Sequence, residues 1–156
     1  MVGIDLDLLK VVKGLMKDSE VVYLSTIGLD GGPQIRAMLN LRNEKMFPRL
    51  IGIWDTEEPF SILVITDTSS NKVKEMEKDR RVSVYFCAPG RRQGIMIACE
   101  AEIIHDLDYK KMIWQEDWVR YYPHGPTDPE FALLRLRPRH AKGWKGDGNF
   151  EMTIEE

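Results

Sequence analysis

The sequence is short of the side chains that carry difficult chemistry unaided. It has two cysteines, Cys87 and Cys99, and three histidines, His105, His124 and His140. The histidines have no ligand-like spacing to one another or to the cysteines, so no structural or catalytic metal is expected. Both cysteines lie in apolar strand-like runs with no His beside them, which argues against a nucleophilic thiol and for two reduced thiols in a cytoplasmic protein. Gly-x-Ser-x-Gly elbows, Walker loops and His-Glu-x-x-His are all missing. No apolar run approaches the roughly 20 residues of a membrane span. The opening residues carry Asp5 and Asp7 and no apolar stretch, unlike a signal peptide. A dominant charge is lacking as well: the formal net charge of −3 gives no bulk attraction to nucleic acid or an anionic membrane.

What is present reads as one domain over residues 1–156, with one respectable core. Residues 5–17 place Leu6, Leu9, Val12 or Lys13, and Met16 at helical spacing, giving an amphipathic opening helix with Asp5 and Asp7 in its first turn. "SEVVYLSTIGLDGGPQIRAMLNL" reads as a hairpin about an Asp-Gly-Gly-Pro turn. "FSILVITD", "RVSVYFCA", "GIMIACEAEII" and "EFALLRLRP" supply four more strands. "SNKVKEMEKD" and residues 106–121 supply helices, the latter capped by Asp106, and "RHAKGWKGDGNFEMTIEE" is left as a tail. Six strands joined mostly by hairpins define an α+β, mainly β, fold. Its expected form is an antiparallel six-stranded split β-barrel with flanking helices, because closure removes exposed edges. A doubly wound parallel sheet would need crossover helices that are not there.

Three stretches are candidates for function. In "VITDTSSNKVKEM" a strand runs into a helix through hydroxyls, an amide and a Lys. A helix start presents unpaired N–H groups and the positive end of the macrodipole, which suits a phosphate. The alternative is simple N-capping by Ser69 or Ser70 with a solvated Lys72. In "QIRAMLNL", alternation sets Ile35, Ala37, Leu39 and Leu41 on one face, read as core, and Gln34, Arg36, Met38 and Asn40 on the other. There Arg36 and Asn40 either meet a ligand or lie solvated. In "WQEDWVRYYPHGPTDP", Trp114, Trp118 and Tyr121 or Tyr122 share a helix face, as core, as a subunit contact or as the wall of a flat pocket. Trp144 stands alone in a Gly-rich segment and must dock on this subunit, a partner or a ligand. Candidate phosphate-binding side chains, aromatics and methionines without an evident acid, base or nucleophile suggest that a bound cofactor carries the reactivity.

In order and spacing, these pieces resemble the pyridoxamine 5′-phosphate oxidase-like FMN-binding split-barrel family, and within it the short general-stress-protein branch. "STIGLDGGPQIRAML" is similar to the family's first hairpin. "VITDTSSNKVKEMEKDRRVSVYF" is similar to its strand and Ser-x-Lys helix start. "WQEDWVRYYPHGPTDPEFALLRLRP" and "RHAKGWKG" are similar to the branch's Trp-rich and closing segments. The resemblance spans about residues 18–145. It implies a homodimer holding FMN between subunits, with a small-molecule electron donor and acceptor. Arg36, Ser70 and Lys72 would be phosphate ligands. Ile65 and Thr66 would lie along the flavin, and Met38, Leu39 and Asn40 would border its ring or ribityl chain. Gln93, within a residue of register, would match the family's Gln after the loop, and Trp144 its closing Trp.

The sequence also departs from that pattern. The oxidases have Ser-Arg-Lys where this chain has Ser70-Asn71-Lys72, so one phosphate cation is lost. The Arg-rich substrate motif that ends those enzymes is missing from "NFEMTIEE". The segment "NEKMFPRLIGIWDTEEP", residues 43–59, either covers the pocket or extends a subunit contact. The expected activity is therefore that of an FMN-dependent oxidoreductase without an assigned substrate. The competing readings are a non-enzymatic flavin-binding or stress-related module, or deazaflavin or haem in the same barrel. Haem is disfavoured, because no His falls in the strand-and-helix cradle.

Overall fold

The computed structural model describes residues 6–57 and 60–154. Helix α1 (Leu6–Asp18) opens the fold; Asp5 lies outside the described residues. The hairpin β1 (Val21–Ile27) and β2 (Pro33–Leu39) follows. Its turn is closed by Gly28 N–H donating to Gly32 O at 2.7 Å, with Gly31 at φ +88°, a conformation that favours glycine. Then come β3 (Ile62–Asp67), α2 (Asn71–Lys78), β4 (Arg81–Ala88), β5 (Gln93–Ile104), α3 (Leu107–Ile113), β6 (Phe131–Lys145) and β7 (Gly148–Thr153). The strands form an antiparallel sheet in the order β2-β1-β4-β5-β6-β3, with β7 added beside β6. β2 and β3 approach each other at the two ends of this path without pairing. The result is the split barrel expected from the strand pattern.

Two cores lie on opposite sides of β3 and β6. Inside the barrel, Leu24, Val84, Phe86, Ile97 and Leu134 pack with Val12, Leu15 and Met16 of α1. Outside, Leu63 and Leu133 meet Trp114, Trp118, Tyr122 and Phe131. The continuous apolar run "ILVI" reflects burial on both faces, since a strand covered on one side only would alternate. Phe47 and Leu50 of the 43–59 segment plug into the outer core, and Pro48–Asp55 forms a 3-10 turn over it.

Three expectations are corrected. The tail is not a tail. β6 runs through Pro138 to Lys145 and turns back at Gly146 into β7. Pro138 is tolerated because it pairs with Cys99 where the β5–β6 register shifts, so its missing N–H breaks no regular ladder. The 106–121 helix is not continuous either. Asp106 caps α3, accepting from Asp108 N and Tyr109 N, but the helix stops at Trp114 (ψ 136°) and resumes as a 3-10 turn over Glu116–Arg120. The break lets both indoles pack edge-on, with centroids 5.9 Å apart, over Phe131. Gln115 Nε2 donates to the carbonyls of Ile113 and Trp114.

The third correction concerns β2, whose faces are reversed. Ile35 is 70% exposed and Leu39 37%, whereas Met38 and Asn40 are buried and Arg36 points inward; Leu41, past the strand, is core as expected. The polar partners available inside, described next, outweigh the hydropathy of the alternating residues.

Candidate functional site

The β3–α2 junction is anchored from behind by the turn that leads into β6. Thr68 N–H donates to Glu130 O at 2.9 Å and its hydroxyl to Pro129 O at 2.8 Å. The Ser69 hydroxyl donates to the Glu130 carboxylate at 2.7 Å, so it is not a helix cap. Ser70 occupies the N-cap position of α2 in extended conformation, yet its side chain makes no capping bond. Its hydroxyl instead lies 3.4 Å from that of Thr66, the last but one residue of β3, which shares the barrel-side face with Ile62 and Val64. The opening turn of α2 therefore presents its N–H groups without a side-chain cap, beside two hydroxyls. An anion fits such a place.

Arg36 comes to this place from β2. Its Nη1 donates to Thr26 Oγ1 at 2.7 Å and its Nη2 to Glu75 Oε1 at 3.1 Å. Thr26 also donates to Glu75 Oε1 at 3.2 Å. Glu75 is buried, so its carboxylate holds Arg36 in one orientation across the end of the barrel. Lys72 stands near enough to feel that guanidinium. Its ammonium is held below its ordinary pKa, first by desolvation and then by repulsion from Arg36, with Asp67 and Glu75 opposing. Two cations crowded together are stabilised by an anion between them. Asp67, in turn, accepts from the Tyr122 hydroxyl at 3.0 Å. Burial first, and then that hydrogen bond to Asp67, push the Tyr122 phenol well above its usual range.

The structure thus brings Arg36, Thr66, Ser70 and Lys72 together, with Asn71 exposed at the rim. Other sequence-derived candidates lie apart. Asn40 is fully buried and spends its amide on Met16 O and Ser19 O, closing α1 against the end of β2. Met38 belongs to the inner core, Leu39 to the outer sheet surface, and Ile65 packs against the outer core. Gln93 opens β5 four residues before Ile97, which is level with Arg36 through Leu24 and Val84, hence about 13 Å along the sheet. Trp144 pairs with Gly94 and donates to the Tyr85 hydroxyl at 2.8 Å, so within the subunit its docking place is Tyr85. Trp114, Trp118 and Tyr122 are core, and Tyr121 is the exposed member of the set.

Sequence reasoning missed Thr26 and Glu75. A signal existed for Glu75: it lies next to Met76 and three residues after Lys72, on the face of α2 that Val73 and Met76 bury. A carboxylate there needs a cationic partner. Among the described residues, no group of three or more His, Cys, Asp and Glu is placed to hold a metal ion. No described helix is long and apolar enough to cross a membrane.

A barrel split between β2 and β3, with the uncapped start of α2 beside it, defines the class of fold. The family model described as pyridoxamine 5′-phosphate oxidase-like matches residues 9–155, and the chain belongs to that family. No curated protein matches the sequence. Among solved structures, the chain is similar to a Clostridium acetobutylicum protein related to general stress protein 26 of Bacillus subtilis. The two are 26% identical over 97% of each chain, with a TM-score of 0.78. It is also similar to a pyridoxamine 5′-phosphate oxidase-related, FMN-binding protein of Nostoc punctiforme, at 14% identity over 94% and 85% of the chains, TM-score 0.62. A haem-binding protein of Mycobacterium smegmatis aligns at 14% identity over 98% of this chain and 60% of its own, TM-score 0.67. The latter two likenesses concern the fold.

Proposed function

We propose that the protein is a cytoplasmic, single-domain FMN-binding flavoprotein and that the phosphate sits between Arg36, Ser70 and Lys72. The observation that carries this reading is the uncapped start of α2, with Lys72 in its first turn and the Arg36 guanidinium near enough to lower the Lys72 pKa, an arrangement that suits a dianion. Thr66 and Ser70 would donate hydroxyls to the phosphate. The strand backbones at 36–39 and 65–66 border the slit in which a flat ring would lie. FMN, when bound, supplies one- and two-electron transfer with a small-molecule donor and acceptor. Arg36 and Lys72 would orient it, and Glu75 would fix Arg36. Glu75 also offsets one positive charge, and Asn71 adds none, so the affinity should be modest for the family. We place the protein with the oxidoreductases of the family on the strength of that cofactor, with no substrate assigned.

The same reading includes a homodimer. The outer face of β1 and β2 exposes Val21, Tyr23, Ile35, Ala37 and Leu39, which are cross-strand neighbours. A contiguous apolar stripe of this kind is costly on a monomer. Beside it, Ser25, Ser83 and Ala98 form the floor of an open groove of about 500 Å3 rimmed by Arg81 and Arg139.

The deciding experiment is direct. The protein purified without added cofactor, or reconstituted with FMN, should be yellow, and the chromophore released by acid should co-chromatograph with FMN. A colourless protein that binds neither FMN nor riboflavin defeats the proposal. A haem Soret band in place of flavin absorbance would favour the alternative ligand.

A further inference from the structure

A second cleft lies away from the α2 cradle, between α1 and the 3-10 turn Pro48–Asp55. Its volume is about 670 Å3, within the range of small-molecule sites. Lys10, Lys13 and Lys17 edge it at helical spacing, Gly14 forms part of its floor, and Arg42 and Trp54 form the facing wall. Arg42 is fixed twice: its Nε donates to Ser61 O at 2.6 Å and its guanidinium lies over the Trp54 ring, 4.4 Å from the centroid. Burial pulls the Arg42 pKa down to about 10, with the Glu57 carboxylate opposing. The two walls are tied at their base by Glu44 N–H donating to Lys17 O. Ser61 precedes the first residue of β3 and the cradle follows its last. The two places are about 20 Å apart at ~3.3 Å per residue.

Gly14 is the telling residue. It sits inside a 13-residue helix, where only proline is a worse choice. A Cβ there would meet nothing within 4 Å, so neither close packing nor a positive φ calls for glycine. What a side chain would do is fill the cleft. Three carboxylates share the wall, Glu44, Asp55 and Glu57, but Glu57 is already engaged by Arg135 at 3.1 Å and by Tyr109. Exposed lysines hold a lone monovalent anion poorly, because each pair is worth little in water. A polyvalent anion engages several at once. The aromatic wall adds a stacking surface for a planar group.

We infer that this cleft is a second ligand site for a nucleoside diphosphate, with the base against the Trp54–Arg42 pair and the phosphates along Lys13 and Lys17. The inference does not depend on flavin binding at α2.

Calorimetric titration of the full chain with ADP, in the presence of saturating FMN or with Lys72→Gln protein, tests it. One ADP should bind per chain with a submillimolar Kd, and adenosine or pyrophosphate alone at least tenfold more weakly. Gly14→Leu, which fills the floor with a good helix former, should weaken ADP at least tenfold while leaving the circular dichroism spectrum intact. If Gly14→Leu does not fold, the Lys13→Gln/Lys17→Gln pair carries the decision, since both side chains are exposed; it too should weaken ADP about tenfold. Lys72→Gln should leave ADP affinity unchanged. The inference is overturned by the lack of saturable ADP binding below 5 mM, by wild-type affinity in the folded cleft variants, or by loss of ADP binding in Lys72→Gln, which would put the nucleotide at α2.

Discussion

Arg36 on β2 and Glu75 on α2 form a 3.1 Å ion pair whose carboxylate is almost wholly buried and whose guanidinium remains one-quarter exposed. The pair therefore has two faces, one serving the fold and one open to a ligand. Substitutions at the cradle separate these roles.

Lys72→Gln should leave folding nearly untouched and weaken FMN by roughly tenfold or somewhat more. A charge-assisted contact to a dianion contributes about 1.5–3 kcal/mol, and ~1.4 kcal/mol is a factor of ten in Kd. Riboflavin, lacking the phosphate, should bind poorly and ignore the substitution. Fluorescence titrations of apoprotein with both flavins check this; equal losses for both would mean damage to the fold.

Arg36→Gln should differ from Lys72→Gln in kind. It weakens FMN by a similar factor but also strands Glu75, and breaking a buried pair costs up to about 3–5 kcal/mol; the quarter-exposed Arg36 side lowers that toward ~2. Urea unfolding should show a lower midpoint, largely restored in Arg36→Gln/Glu75→Gln. A midpoint equal to that of Lys72→Gln would show that Glu75 finds water or another partner.

The apolar stripe on β1 and β2 predicts a dimer of twice 18.1 kDa by light scattering at micromolar concentration. Ile35→Glu sits on an exposed position and should not unfold the subunit, yet it should shift the population to monomer. A dimer indifferent to Ile35→Glu would move the contact elsewhere.

Gly94→Ala should release Trp144. A Cβ at 94 would fall 2.3 Å from Trp144 Nε1 and 2.5 Å from Tyr85 Oη, so the indole must leave its hydrogen bond. Expected are a red-shifted tryptophan emission and a loss of about 1–3 kcal/mol, as for other overpacking changes. Unchanged emission would contradict the packing described.

The alkaline limit of stability should be steep. Burial pushes the Cys99 thiol up to about 12, and burial together with Glu57 raises the Tyr109 phenol to about 12. Both groups are neutral in the folded chain below that pH, whereas the unfolded chain ionises Cys99 from about pH 9. The stability they contribute is full below pH 9 and is lost as pH rises toward 12. Cys99→Ala should flatten that slope, and native protein at pH 8 should expose at most one thiol, Cys87, to Ellman's reagent. Rapid reaction of both thiols without denaturant would show that Cys99 is not sealed.

The strands along the chain, the hairpins, the Asp106 cap and the strand-to-helix junction at β3–α2 were legible in the sequence because each rests on local signals. The faces of β2 were not. Ile35, Ala37 and Leu39 look like a core triplet, and only the knowledge that Glu75 and the end of α1 wait inside reverses them. Pro138 read as a strand end because the β5 register shift that excuses it lies some forty residues earlier. The break at Trp114 depends on Phe131, which the local helical pattern cannot see. Of the candidate site, Arg36, Thr66, Ser70 and Lys72 converge. Asn40, Gln93 and Trp144 lie apart, because their places depend on α1, on β4 and on Tyr85.

β3 pairs only with β6 along the described sheet, and both of its faces are buried. On a ribosome adding ~5–20 residues per second, its partner emerges about 70 residues later, after roughly 4–14 seconds. For that interval "ILVIT" is a sticky, edge-competent segment with nothing to pair with. The barrel is thus completed by its last-made long strand. A chain truncated before Phe131 would lose this strand's only pairing partner along the described sheet, and translation pauses in this stretch would lengthen its exposure to chaperones and to aggregation.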